Sequence, residues 1–345
     1  MPGIRDDGSW KEFEDIYVKN GGSWKEVTQV WQKNAGSWRL IWEPSKEGFN
    51  IGGTEVKLSD GSYIVSGTQD VTFQSLADFE ADVVMWGSGA KTRGGYTYGR
   101  VNFKKDVYYK IRTGYGGGGA GAGYSGNSGG TGGGYAGLFE GSTSSVSATQ
   151  TQALLIAGGS GGANGTNNNA GGGGGSSGDD GTAGSGGGRG TGGTQTAGGS
   201  GGGRSFLSNL SPSTNGGPGS ALQGGSGGNG GASYQSAEPY GSGLIYYTGS
   251  DGAGGGGGGY YGGGGGGGGS AFVTGNWSLY PWGTDIFTSG TGGGGSGYVN
   301  TSKVTAPSGT SSFSGASDPN RGTAGNASGG RGSANNARVV IRLPA

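Results

Sequence analysis

The pattern of apolar and polar positions changes character along the chain. Between residues 44 and 113 apolar residues alternate with polar ones. Val71 and Phe73 do so, as do Phe79, Ala81, Val83 and Met85 against Glu80, Asp82 and Val84. Val101 and Phe103, then Val107, Tyr109 and Ile111, continue the period of two. That period places alternate side chains on one face, as in half-buried strands. Val56 and Leu58, an Asp60-Gly61 turn and Tyr63-Ile64-Val65 read as a hairpin, and residues 44–50 as a connector. Several short alternating strands predict a compact sandwich or jelly roll. Two distant stretches share the character, residues 153–157 and 338–343, and are expected to return to this sheet.

Residues 1–43 hold a different pattern, a three-fold repeat. Gly8-Ser9-Trp10-Lys11-Glu12 recurs as Gly22-Ser23-Trp24-Lys25-Glu26 and then as Gly36-Ser37-Trp38-Arg39, a period of 14 residues. A short fixed period signals a repeat architecture. Each copy reads as two short strands with a turn at the glycines, and Asn20-Gly21 has strong turn chemistry. Forty residues bury little by themselves. Trp10, Trp24 and Trp38 therefore have two readings: anchors on the end of a three-fold partner, or the repeat's own small core.

From residue 114 to 337 periodicity disappears. Of the 96 glycines, 81 lie beyond residue 113, densest at 254–259 and 262–269. Glycine loses the most backbone freedom on ordering and buries no side chain. The segment is thus ordered only where its backbone groups pair with one another. A bundle of extended three-residue helices, whose N–H and C=O groups point sideways, meets that need. Aromatic islands interrupt the runs. They are Arg204 to Leu207, Tyr234 to Tyr240, Leu244 to Tyr247, Tyr260-Tyr261, and Asn276 to Phe287. Loops at the ends of a rigid body are common binding elements, and Tyr and Trp give large contact area with few rotatable bonds. Tyr240, Tyr246, Tyr247, Trp277, Tyr280, Trp282 and Phe287 are the candidate contact residues; Phe206 and Tyr260 are expected to fold back on the bundle. The fold class expected is mostly β, with a polyglycine bundle and little or no α-helix.

Composition narrows the chemistry. The formal net charge is zero, so no basic field awaits nucleic acid. Cysteine and histidine are both absent. Disulfides, thiolate metal sites and the commonest general base are thereby excluded. No signal peptide or membrane-spanning run is evident, which predicts synthesis in the cytoplasm and no membrane insertion. Matches to G-x-G-x-x-G carry no information at this glycine content, and none sits in a strand-to-helix unit. Ala90 fills the glycine position that a phosphate loop at residues 89–92 requires. Asp179-Asp180 lacks a spaced set of oxygen ligands. No metal, cofactor or catalytic residue is assigned.

With repeat, β segment and islands in place, the chain resembles the glycine-rich bacteriophage adhesins found at the tips of T-even-like long tail fibres. The resemblance spans the whole chain in architecture. It implies a non-enzymatic virion protein: residues 1–43 attach through Trp10, Trp24 and Trp38 to a trimeric fibre or tail protein. Residues 44–113 form a β platform. Residues 114–337 form a polyglycine bundle whose loops bind a bacterial outer-surface protein or glycan. The GSWKE-type repeat is also similar to segments of other phage virion proteins, so a tail hub or head is a second place for it. Rival readings are a purely structural virion spacer or decoration, a surface-glycan depolymerase and an ice-binding bundle.

Overall fold

The computed structural model describes residues 3–6, 9–12, 16–20, 22–27, 29–34, 36–42, 47–59, 61–123, 127–164, 169–204, 213–236, 245–249, 251–269, 288–312, 317–327 and 336–344. It is nearly all β; its one helical element among the described residues is a 3-10 turn at Gln150–Gln152.

Each N-terminal repeat is a separate hairpin: β1 (Gly3–Asp6) with β2 (Ser9–Glu12), β3 (Tyr17–Asn20) with β4 (Ser23–Glu26), and β5 (Val30–Asn34) with β6 (Ser37–Trp42). In the second copy Asn20 is paired with Ser23 and so belongs to the strand rather than to the turn. Gly22 and Gly36 take φ of +88° and +89°, a region that side chains disfavour.

A two-sheet sandwich follows. Its strands are β7 (Gly48–Ile51), β8 (Thr54–Lys57), β9 (Tyr63–Ser66), β10 (Gln69–Ser75), β11 (Phe79–Trp86), β12 (Tyr96–Phe103), β13 (Tyr108–Tyr115), β14 (Tyr135–Gly141) and β15 (Ala153–Ala157). After them come an isolated hairpin, β16 (Ala232–Ser236) and β17 (Ile245–Gly249), and the last strands, β18 (Tyr298–Val299), β19 (Val304–Ser311) and β20 (Arg338–Arg342). One sheet runs β18-β15-β14-β13-β10-β7-β8 and the other β19-β12-β11-β20-β9. Their inner faces share one core, including Phe73, Tyr109, Ile111 and Leu138 from the first sheet and Ala81, Val83, Met85, Phe103 and Ile341 from the second.

Three expectations need correction. Residues 44–50 are not merely a connector. Phe49 is fully buried at the centre of an aromatic cluster, within 4.4–5.6 Å of the Phe73, Phe79 and Phe103 ring centres, and carries β7 with it. The hairpin around Asp60-Gly61 does not form. β8 folds back on β7 through Gly52-Gly53, whereas β9 crosses to the other sheet and pairs with β20. The glycine-rich stretch is also not one block. β14, β18 and β19 lie within residues 114–337 yet belong to the sandwich, because Tyr135, Leu138, Phe139 and Val304 have apolar bodies to bury.

Outside these strands and the β16–β17 hairpin, the described residues between 116 and 297 form a glycine-rich body of extended segments paired sideways. Three lie at its centre: residues 252–258, 262–268 and 290–296. In the first, Gly252, Gly255 and Gly258 donate to the carbonyls of Asn127, Gly130 and Gly133. Ala253 and Gly256 donate to Gly228 and Gly225, and Gly254 and Gly257 to Gly290 and Gly293, all at 2.8–3.2 Å. Every third residue thus returns to the same neighbour, the period expected of polyglycine helices. The carbonyls of this segment accept from Gly118 and Gly121, Gly159 and Gly162, and Gly263 and Gly266. The segment therefore has six neighbours, three by donation and three by acceptance. Residues 262–268 and 290–296 repeat the arrangement. A Cβ at Gly256 would land on the Gly263 carbonyl oxygen; at Gly119, on the rim, it would meet nothing within 4 Å.

Two predictions follow from this packing. Gly256→Ala forces neighbouring backbones apart and is expected to lower stability by about 3 kcal/mol or more. Gly119→Ala is expected to stay within about 1 kcal/mol of the parent. Urea unfolding of both variants checks the difference. The second concerns Tyr109, fully buried in the sandwich and accepting a 3.0 Å hydrogen bond from the Lys104 N–H. Burial pushes its phenol up to about 12 from an ordinary value of 10.0. Below pH 10 it is neutral in both states; above that the unfolded chain ionises first. Its stabilising contribution, about 3 kcal/mol, is therefore lost as pH rises from 10 through 12. Denaturation midpoints measured across that window should fall, and fall less in Tyr109→Phe.

Candidate functional site

The direction of each segment decides where the loops lie. β13 ends at Tyr115 beside Tyr135, at the end of the sandwich that faces the body. Residues 116–122 run away from the sandwich and 127–134 come back. The same alternation carries through every later segment. The near turns are 175–177, 194–197, 220–223 and 260–261. They lie against the sandwich: Gly297 donates to the Gly175 carbonyl, and the Gln195 amide donates to that of Gly297 at 2.8 Å. Tyr260 stacks on Tyr298 with ring centres 3.9 Å apart, and both pack with Tyr115 and Leu222 on a small cluster of Tyr135, Phe139 and Ile156. This joint fixes the body on the sandwich. The Tyr260-Tyr261 island is thus part of the joint, not of the far end.

At the other end the described segments stop at residues 123 and 127, 164 and 169, 204 and 213, 231 and 251, and 269 and 288, with a turn at 184–187. The sequence between three of these pairs of feet carries the long aromatic islands, so the topology gathers to one end feet that are far apart in sequence. Backbone pairing joins their feet: Gly231 donates to the Gly269 carbonyl at 2.9 Å, and Gly230 to that of Ala122 at 2.8 Å.

At this end the lateral ladder runs out of backbone partners, and side chains complete it. The Asn229 side chain accepts from the Ala122 N–H at 2.9 Å, Asn215 from Arg204 at 2.9 Å, and Thr214 from Asn229 at 2.7 Å. Asp251 accepts from Asn127 at 2.8 Å, and Thr288 from Ser185 at 3.0 Å. Ser289, fully buried, accepts from Gly269 at 2.9 Å and donates to the Asp251 carbonyl. The Asn164 amide donates to the Ser289 carbonyl. Short polar side chains serve here as caps do at helix ends, supplying the acceptor that the backbone lacks. Ser289 and Asp251 tie the foot of the 270–287 loop to that of the 232–250 loop.

Of the candidate contact residues, Tyr246 and Tyr247 lie on β17, opposite Gln235 and Tyr234 of β16. Tyr240, Trp277, Tyr280, Trp282 and Phe287 lie outside the described residues, as does Phe206. The capping residues were not singled out in the sequence. Their signal is the Asn, Asp, Ser or Thr that flanks nearly every glycine run, the residue types whose side chains bond nearby backbone.

The repeat tryptophans occupy one register. Trp10 pairs with Arg5, Trp24 with Lys19 and Trp38 with Lys33. Trp24 and Trp38 are 68% and 65% exposed, so neither is the core of its own hairpin. The chain that follows the hairpins enters the sandwich at the end remote from the body. Phe49 pairs with Ser75 at the sandwich end remote from the body, and only residues 43–46 separate β6 from Glu47.

Among the described residues no group of three or more acidic side chains is placed to hold a metal ion, and no helix is long and apolar enough to cross a membrane. No protein-family model matches the chain, and no curated protein matches its sequence.

The clasp at the loop feet is testable. Ser289→Ala removes both its hydrogen bonds and is expected to open this end at a cost of about 1–3 kcal/mol. Amide exchange at residues 262–269 should then quicken while the sandwich strands stay protected; unchanged exchange would show that the clasp carries no stability.

Proposed function

We propose that this chain is a virion adhesin of the phage tail-fibre-tip kind, attached by its N-terminal hairpins and binding a bacterial surface molecule through loops on the far end of the glycine-rich body. One observation carries the reading: the chain is bipolar. Exposed tryptophans lie on hairpins that precede the sandwich in the chain, and the described feet that bracket the three aromatic islands end together on the side of the body away from the sandwich. A rigid body with six-neighbour packing holds loop feet at fixed separations, which favours recognition by shape. The loops' Tyr, Trp, Ser, Asn and Gly composition suits broad aromatic contact with a protein or glycan. The reading assigns binding without chemistry and a location at the distal end of a fibre.

The reading assigns Trp277, Tyr280 and Trp282, in residues 270–287, as contact residues. Their joint replacement by alanine should reduce adsorption of the virion to its host more than tenfold, since buried aromatic anchors commonly contribute about 2 kcal/mol or more each. Assembly and the melting profile should be unchanged. Normal adsorption would remove the loop from the binding site and favour a structural role in the virion.

A further inference from the structure

The exposed large apolar side chains of the described residues are Tyr17, Val18, Trp24, Trp31, Trp38 and Ile64. All but Ile64 lie in the second and third hairpins. The pairing registers sort them by face. Tyr17, Lys19, Trp24 and Glu26 share one face of the second hairpin, because cross-strand partners lie on the same side and successive residues on opposite sides. Trp31, Lys33, Trp38 and Leu40 share the matching face of the third. Each face thus presents two exposed aromatics flanking a lysine, repeated after 14 residues. The lysine ammonium stands over the ring: Lys19 Nζ is 5.9 Å from the Trp24 ring centre and Lys33 Nζ is 5.8 Å from that of Trp38.

We infer that these aromatic–lysine–aromatic faces are one repeated docking unit. Their partner is a homo-oligomeric protein that offers, once per subunit, a flat apolar spot beside a carboxylate. The inference rests on the attachment reading above and specifies its chemistry. A cation over a tryptophan face holds an otherwise free exposed ring in one orientation, and leaves the other ring face for the partner. Preorganisation of that kind reduces the freedom lost on binding. The same ammonium supplies the charge that a carboxylate on the partner complements. Identical registers at a fixed spacing make equivalent units, and equivalent units match equivalent subunits. Lys19 and Lys33 are accordingly positioning residues for Trp24 and Trp38 as well as contacts. Arg5 stands opposite Trp10 at the corresponding place in the first hairpin.

The probe is the virion itself, assembled with variant chains, washed at increasing salt and assayed for the copies of this protein it retains. Lys19→Met with Lys33→Met is expected to lower retention about tenfold at low salt and to flatten its salt dependence, since the screened charge is gone. Lys19→Arg with Lys33→Arg should retain the native profile, because a guanidinium also stacks on an aromatic face and pairs with carboxylates. Melting of the sandwich and body should be unaffected in both. Native retention and salt dependence in the methionine variant would overturn the inference while leaving tryptophan attachment standing. Native retention in Trp24→Ala with Trp38→Ala would overturn attachment by the hairpins altogether.

Discussion

The structure depends on backbones that approach each other without Cβ atoms between them. In the three central segments each N–H and nearly every C=O bonds to a neighbour, and successive residues address different neighbours. A side chain at such a position would occupy the space of a carbonyl oxygen. Glycine's large loss of conformational freedom is thus offset collectively, by hydrogen bonds made in every sideways direction and by close backbone contact. No apolar core is needed in this body, and the residues with side chains buried in it are small or short and polar, among them Ala163, Asn164, Asp251, Ala253, Ser289 and Thr291.

That economy has a consequence at the ends. The ladder requires that each segment stop where its neighbours stop, and unpaired groups at the boundary need an acceptor. Toward the sandwich the boundary is closed by the Tyr260–Tyr298 stack and by pairing with the 87–95 loop. Away from it, Asn, Asp, Ser and Thr side chains do the closing. The sandwich itself is completed late: β18, β19 and β20 come from beyond the body, and β20 lies between β11 and β9 rather than at an edge. The body is therefore an excursion clamped at several points along its length, which holds the feet at its far end at fixed places. The hairpins, by contrast, are separate two-stranded units, too small to bury their aromatics themselves. Tyr17, Trp24, Trp31 and Trp38 stay exposed among the described residues.

Much of this was legible in the residues. Alternation at Phe79 to Met85 and Val101 to Ile111 marked strands and their buried faces, because a period of two has one structural meaning. The apolar runs at 153–157 and 338–343 announced sheet strands, since a fully apolar run amid glycine has to be covered on both sides. The 14-residue repeat marked three equivalent hairpins, and the glycine content required sideways pairing. What the sequence did not determine is partnership. Nothing local distinguishes β8 and β9 as a hairpin from β8 and β9 in different sheets; the aromatic cluster around Phe49 decided it. Nothing in a glycine run names its six neighbours, because residues without side chains carry no pairing code. Only the closed tertiary arrangement assigns near and far turns, and with them the loops that share an end. The lysine over each tryptophan likewise follows from strand register, a relation across space that neither residue states alone.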